Sequence, residues 1–206
     1  MSGSVPPLVG VLGLQGDFEA HGNVLRELGA RVREVRVPGD LEGLQALVLP
    51  GGESTTMTLG IEREGLAPQL RELCARVPVL GTCAGMIMLD REHLGVLDIL
   101  ARRNAFGRQL RSFEADLEID GVSDPPTPPV HAVFIRAPWV QETGPEVRVL
   151  ADVDGHPVAV RQGNVVAISF HPELTGERRL HELLLTLVAG DAQGDAGRGV
   201  RGGAGS

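Results

Sequence analysis

Apolar positions along the chain fall into two rhythms. Val9–Leu14, Leu44–Leu49 and Val77–Leu80 are short, nearly unbroken apolar runs bounded by Gly, Pro or Gln, the pattern of strands buried on both faces. Arg31–Val37 alternates polar and apolar residues, as a half-exposed strand does. Between these runs lie segments of helical character: Phe18–Leu28 with Gly29 as its C-cap, a stretch opened by Glu53-Ser54-Thr55-Thr56, and Leu66–Arg76. Strand and helix therefore alternate through the first half, which predicts a parallel sheet with helices on both faces. The second half changes character. Glu114–Ile119, Val130–Ile135, Val147–Ala151, Pro157–Arg161 and Val165–Phe170 read as strands joined by turns, an antiparallel extension of the sheet. The Pro-rich SDPPTPPV is a loop too short to separate domains. Gly176–Ala189 is predicted to close the fold as a helix with Leu180, Leu183, Leu184 and Leu187 on one face. Residues 8–189 thus form one α/β domain, with residues 1–7 as a flexible extension and 190–206 as a disordered, Gly-rich tail.

Composition narrows the partners. Among 206 residues, a net charge of −8 argues against nucleic acid, whose phosphates call for a basic face. No apolar run approaches the roughly 20 residues of a membrane span, and Met1–Pro7 lacks the basic start and apolar core of a secretion signal. A cytoplasmic location is the expectation. The two cysteines, Cys74 and Cys83, form neither a disulfide framework nor a CxxC zinc pattern, and read as free thiols. All 19 residues counted as Lys or Arg are arginine. A biased genome accounts for that. Its chemical consequence is that the chain cannot form a Schiff base through a lysine amine.

Three motifs carry chemistry. VPVLGTCAGMIML runs a strand into Gly81-Thr82-Cys83-Ala84-Gly85 and resumes as a helix, the form of a nucleophile elbow. Such a turn holds a thiol at the carboxyl edge of the sheet, where a helix N-terminus favours negative charge and offers backbone N–H groups. The alternative is a buried structural cysteine beside glycines required only for packing. Cys74, in a helical stretch without such a turn, is expected to be filler. A cysteine nucleophile needs a base and the base an orienting group, and His171-Pro172-Glu173 offers both. In extended geometry residues two apart point the same way, so Glu173 could align His171; a surface turn is the alternative. Finally, Pro50-Gly51-Gly52-Glu53-Ser54 is either a strand-to-helix turn capped by Ser54 or Thr55, or one half of an oxyanion hole in which the N–H near Gly52 faces that of Ala84.

In this order the motifs resemble the class I, triad-type glutamine amidotransferases. GVLGLQGDFEAH, LVLPGGESTTM, GTCAGMI, RRNAFGRQLRSFEADL, FIRAP and SFHPEL together look like the glutaminase subunits of pyridoxal 5′-phosphate synthases, over about residues 8–188. The resemblance implies a single-domain amidotransferase fold with Cys83 as nucleophile and His171 and Glu173 completing a triad. It places L-glutamine binding on Gly52, Glu53, Ser54, Arg103, Ile135 and Arg136. It also implies a partner, a synthase subunit in a large ring assembly that carries glutaminase subunits around its outside. That partner receives ammonia through an internal channel and performs the imine chemistry that a lysine-free chain cannot. Glutaminase activity in the family depends on this partner. No metal and no cofactor bound by this chain is expected. Gln15, after the first strand, is assigned to coupling with the partner.

In mechanism, Cys83 would attack the glutamine side-chain amide, His171 would protonate the leaving ammonia, and water activated by His171 would hydrolyse the glutamyl thioester. The sequence departs from the family where Leu89–Leu94 passes almost directly into Gly95-Val96-Leu97, several residues short, and in its Gly-rich tail. Two other readings stand beside this one: a different cysteine hydrolase of the same superfamily, although those often place histidine directly after the cysteine where this chain has Ala84, and a regulatory subunit that has lost its chemistry, although no triad member is missing.

Overall fold

The computed structural model describes residues 5–103, 112–123 and 126–198, the stretch 191–198 as backbone alone. Four strands of the first half run parallel in a seven-stranded sheet: β1 (Leu8–Leu12), β2 (Arg31–Val35), β3 (Ala46–Leu49) and β4 (Val79–Thr82). Its remaining strands are β9 (Arg148–Val153), β10 (His156–Gln162) and β11 (Val165–Ile168), in the order β2-β1-β3-β4-β11-β10-β9. β11 joins β4 in parallel, and β10 and β9 continue antiparallel. Every residue of β3, β4 and β11 is buried, as central strands covered on both faces require.

The pleat sends alternate side chains to opposite faces. Val9, Val11, Ala46, Val48 and Ile168 pack in one core against α1 (Phe18–Glu27) and α5 (Arg179–Arg198), through Leu25, Leu180 and Leu184. Leu12, Leu47, Leu49 and Val79 pack in the other core against α2 (Ser54–Arg63), α3 (Ala67–Cys74) and α4 (Ala84–Leu89). Two small antiparallel ribbons flank the sheet: β5 (Ile99–Arg102) with β8 (Trp139–Thr143), and β6 (Ser112–Leu117) with β7 (Val130–Ile135). Phe134 of β7 anchors its ribbon, stacked on Phe113 at 4.4 Å and edge-on to Phe170 at 5.7 Å.

The alternation, the parallel sheet and the antiparallel extension are as predicted, with boundaries shifted by a residue or two in most elements. Two differences have physical causes. β5 and β8 were not predicted; both are short, and their ladder is interrupted between Leu100 and Ala101, so neither carries a regular two-residue rhythm. The final helix does not stop at Ala189 but runs to Arg198, into the predicted disordered tail. Adding a residue to an established helix costs far less than nucleating one, even where glycine weakens it. The short segment after α4 is closed by Asp90, fully buried, whose carboxylate accepts from the N–H of Glu92 at 2.9 Å and of Ala101 at 3.2 Å and bonds His93 Nδ1 at 2.7 Å. No helix among the described residues is long and apolar enough to cross a membrane.

Candidate active site

The carboxyl ends of β1, β3, β4 and β11 lie side by side, and each is followed by one of the nominated motifs. The chain reverses direction of spread between β1 and β3, the point at which open α/β sheets leave a crevice. Sequence order alone brings Gln15, Gly52, Cys83 and His171 to this edge.

Cys83 sits between β4 and α4 with φ 49° and ψ −104°, a strained conformation for a residue with a side chain. Its surroundings hold it there. Its N–H donates to Ile168 O at 2.8 Å, tying the elbow to β11. The flanking glycines have packing reasons: a Cβ on Gly85 would stand 2.0 Å from Leu49 O, and one on Gly81 2.9 Å from the Gly85 carbonyl. The elbow thus presses α4 onto β3 and β4 more closely than any side chain would permit. Its sulfur lies 3.9 Å from Ile135 O, and the residue is 7% exposed and borders the pocket.

His171 follows β11, hydrogen-bonded through its N–H to Val133 O at 3.0 Å. The extended geometry expected for His171 and Glu173 is not found. β11 ends at Ile168, and Pro172–Leu174 form a single 3-10 turn. Proline at the first position of that turn, with its fixed φ, sets it up. The turn delivers the same result by another route, placing Glu173 Oε1 2.7 Å from His171 Nδ1. Burial opposes a charge on His171, but interactions with Cys83 and Glu173 outweigh it and raise the imidazole to about 10. Burial likewise pushes the Glu173 carboxyl up, while the two histidines beside it, chiefly His171, bring it below its ordinary range. The resting site therefore carries an imidazolium between a carboxylate and a sulfur.

The sulfur opens into a pocket of about 320 Å³. Gly52, Glu53, Ser54, Ala84, Arg103, Ile135, Arg136 and His171 are among the residues that line it. Every residue nominated from the sequence borders this pocket except Glu173, which is buried behind His171. Gly51 clears the space for the imidazole, since a Cβ there would stand 2.4 Å from His171 Cε1. Arg136 has φ 46°, a second strained residue at the site, and makes no ion pair with any described residue. Arg103 donates to Thr55 Oγ1 at 3.0 Å, and its other terminal nitrogen lies 3.4 Å from His93 Nε2. The Asn-x-Phe-Gly motif after it, residues 104–107, lies outside the described residues.

One assignment of the Pro-Gly-Gly-Glu segment changes. The cap of α2 is Glu53, not Ser54 or Thr55: its carboxylate accepts from the N–H of Thr55 at 3.0 Å and of Thr56 at 2.7 Å. These bonds, with the Thr56 hydroxyl first among them, hold Glu53 down at about 2. Gln15 lies inside the pocket, where its Oε1 accepts from the Glu53 N–H at 2.5 Å. A Cβ on Gly16 would stand 1.8 Å from Gly51 O, so the first loop lies directly on the Gly51–Gly52 peptide. Sequence reasoning passed over Asp17, Ile87 and Pro138, which also line the pocket, and His21, buried behind Glu173. His21 falls inside the GDFEAH motif, where only its helical phase relative to the sheet could have indicated it.

An elbow cysteine with a His–Glu pair from the adjacent strand, at the carboxyl edge of this sheet, defines a triad-type enzyme of the class I glutamine amidotransferase fold. A solved glutamine amidotransferase superposes with a TM-score of 0.80 at 46% identity, covering 88% of this chain and 98% of that one. The structure of PurLQS from Thermotoga maritima shares the fold at 18% identity, with a TM-score of 0.68 over 88% of this chain and 98% of that one. The chain belongs to the SNO glutamine amidotransferase family, matched over residues 11–189. Among its relatives are the pyridoxal 5′-phosphate synthase subunits PdxT of Mycolicibacterium vanbaalenii, 51% identical over 89% of this chain and 98% of that protein, and of Clavibacter michiganensis, 51% identical over 93% of each.

Proposed function

We propose that the chain is the glutaminase subunit of a pyridoxal 5′-phosphate synthase, hydrolysing L-glutamine to L-glutamate and passing the ammonia to a synthase subunit. The observation that carries this is the line Cys83–His171–Glu173 opening into a pocket with two arginines, in a chain of this family. Arg103 and Arg136 bind the α-carboxylate of glutamine, a charge-assisted contact that an otherwise unpaired Arg136 suits well. Gly52, Glu53, Ser54 and Ile135 complete the cradle.

With substrate bound, Cys83 Sγ attacks the side-chain carboxamide carbon. The resulting oxyanion is received by the N–H groups of Gly52 and of Ala84; as the first residue of α4, Ala84 has no intrahelical acceptor. The His171 imidazolium gives its Nε2 proton to the amide nitrogen, the C–N bond breaks, and ammonia leaves a glutamyl thioester. Now neutral, His171 takes a proton from water, hydroxide attacks the thioester, and glutamate departs with the thiolate–imidazolium pair restored. Glu173 holds the imidazole in one orientation throughout. No metal or cofactor is called for, because His171 and Glu173 are committed to each other. Gln15, propping the Glu53 N–H, is the residue through which docking of the synthase reaches the pocket. We place the enzyme in the cytoplasm, with its synthase a ring carrying glutaminase subunits on the outside.

A glutamine-shaped diazo ketone tests the assignment. It should label Cys83 stoichiometrically, read by peptide mass, and leave Cys74 untouched, since burial has pushed that thiol up to about 12. Label on Cys74, or none on Cys83 in the presence of the synthase, would overturn the proposal.

A further inference from the structure

The short segment after α4 has no part in the thioester chemistry, yet it reaches the pocket at Arg103. Asp90, at its head, is fully buried. Its Oδ1 accepts from the N–H groups of Glu92 at 2.9 Å and His93 at 3.2 Å, and its Oδ2 from the N–H of Ala101 at 3.2 Å. His93 Nδ1 stands 2.7 Å from the same Oδ1. Arg71 of α3 also holds the segment, donating to His93 O at 3.3 Å and to Leu94 O at 2.9 Å. With backbone and ring both tied, His93 directs Nε2 at Arg103 Nη2, 3.4 Å away. The other terminal nitrogen of Arg103 donates to Thr55 Oγ1 at 3.0 Å.

The neighbours of the His93 ring set its donor and acceptor roles. The Asp90 carboxylate already receives three backbone N–H groups and accepts again here, so Nδ1 carries the proton. A guanidinium has donors only, so Nε2 is bare and takes the Arg103 N–H. The carboxylate at Nδ1 polarises the ring and makes Nε2 the better acceptor. Arg103 is thus braced by two uncharged groups, a hydroxyl and a neutral imidazole. A carboxylate in either place would pair with the guanidinium and compete with an incoming anion. These two contacts leave the charge unpaired and three of the five N–H groups of the fork free for a ligand.

We propose that His93, held by Asp90, is a positioning residue for Arg103: it fixes the guanidinium so that its free N–H groups meet the α-carboxylate of glutamine. The carboxylate comes from the glutaminase reading, on which this rests; the hydrogen-bonded chain from Asp90 to Arg103 stands without it. Arg103 borders two cavities, the pocket of Cys83 and an outer hollow lined by His93 and Gln141. Unbraced, its long side chain could swing into that hollow, and binding would then have to order it each time. The segment that the sequence marks as short therefore has a use, since it carries the brace.

Steady-state kinetics in complex with the synthase give the first readout. His93→Leu should raise KM for L-glutamine about tenfold and leave kcat within about twofold, because ordering Arg103 belongs to binding and not to the chemistry. His93→Gln, whose amide oxygen can take the Arg103 N–H, should recover most of the loss. In an Arg103→Met background, the same His93→Leu change should lower kcat/KM by less than about twofold. An equal loss in both backgrounds, a wild-type KM in folded His93→Leu, or a fall in kcat in place of the rise in KM would overturn the proposal. Should His93→Leu not fold, long-range ring correlations in the nitrogen-15-labelled wild-type full chain decide. At pH 8 they should show His93 protonated at Nδ1 and bare at Nε2; a proton on Nε2 would overturn the brace. If the wild-type complex releases no glutamate from glutamine, the glutaminase reading fails by itself, and the same correlations still test the chain from Asp90 to Arg103.

Discussion

The charge state of His171 follows from what touches it. Its imidazole is raised from the ordinary 6.5 to about 10 because Cys83 and Glu173 favour the protonated ring more than burial opposes it. A raised histidine lends stability that is fully present below about 6.5 and lost as pH rises through about 10. In the proposed reaction the imidazolium is also the acid that protonates the amide nitrogen leaving as ammonia. The account predicts that kcat/KM stays level from neutral pH to about 9 and falls above it as the free enzyme loses this proton. A profile that breaks near 6.5, with no second break on the alkaline side, would contradict an imidazolium resting state. At this scale the sequence was highly legible. Cys83 was marked by glycines at both sides and His171 by its place after an apolar strand. Glu173 was found for a reason that did not hold, since a 3-10 turn and not an extended strand brings it round. His21 was not marked, because its burial behind Glu173 depends on which face of α1 meets the sheet, and only helical phase could have indicated that.

The elbow works as an element only because α4 lies against β3 at backbone distance. Gly85 and Gly29 are both glycines beside helix ends, yet they do different jobs. A Cβ on Gly85 meets Leu49 O at 2.0 Å, whereas one on Gly29, at φ +87°, meets nothing within 4 Å. Gly85→Ala must force helix from strand, and we expect a loss of about 3 kcal/mol with most of the activity. Gly29→Ala costs only the left-handed backbone, about 1 kcal/mol, and should leave turnover intact. Urea unfolding of both variants checks this, and equal losses would refute the close-packing account. The strands missed in the sequence illustrate the same limit from the other side. β5 and β8 pair across a long stretch of intervening chain with an irregular register, so the partner that makes each a strand is absent from its local pattern. The helix overrun beyond Ala189 is the converse case, local propagation outlasting a composition that signalled its end.

Across the whole molecule the parallel sheet was plain in the sequence, because buried central strands are simply apolar. What the sequence did not disclose is that two neutral histidines lie between the sheet and the helices of one face. Their sign is opposite to that of His171. Burial depresses them, so the unfolded chain binds protons below about 6.5 that the folded chain refuses. Stability is therefore full above about 6.5 and is lost as pH falls, at a cost of about 2 kcal/mol for His181 by pH 5. Thermal unfolding between pH 7 and 4.5 should show a steep loss in wild type and a shallower one in His181→Leu. Parallel slopes would mean that His181 is not held neutral by the fold.

The central claim is that this chain makes ammonia from glutamine under the control of a synthase subunit. The most direct test is glutamate release from L-glutamine by the purified chain, alone and with its cognate synthase, and with Cys83→Ala in both settings. The account predicts release that appears or rises strongly when the synthase is added and vanishes in the Cys83→Ala variant. Release that persists without Cys83, or none under either condition from a correctly folded chain, would contradict it.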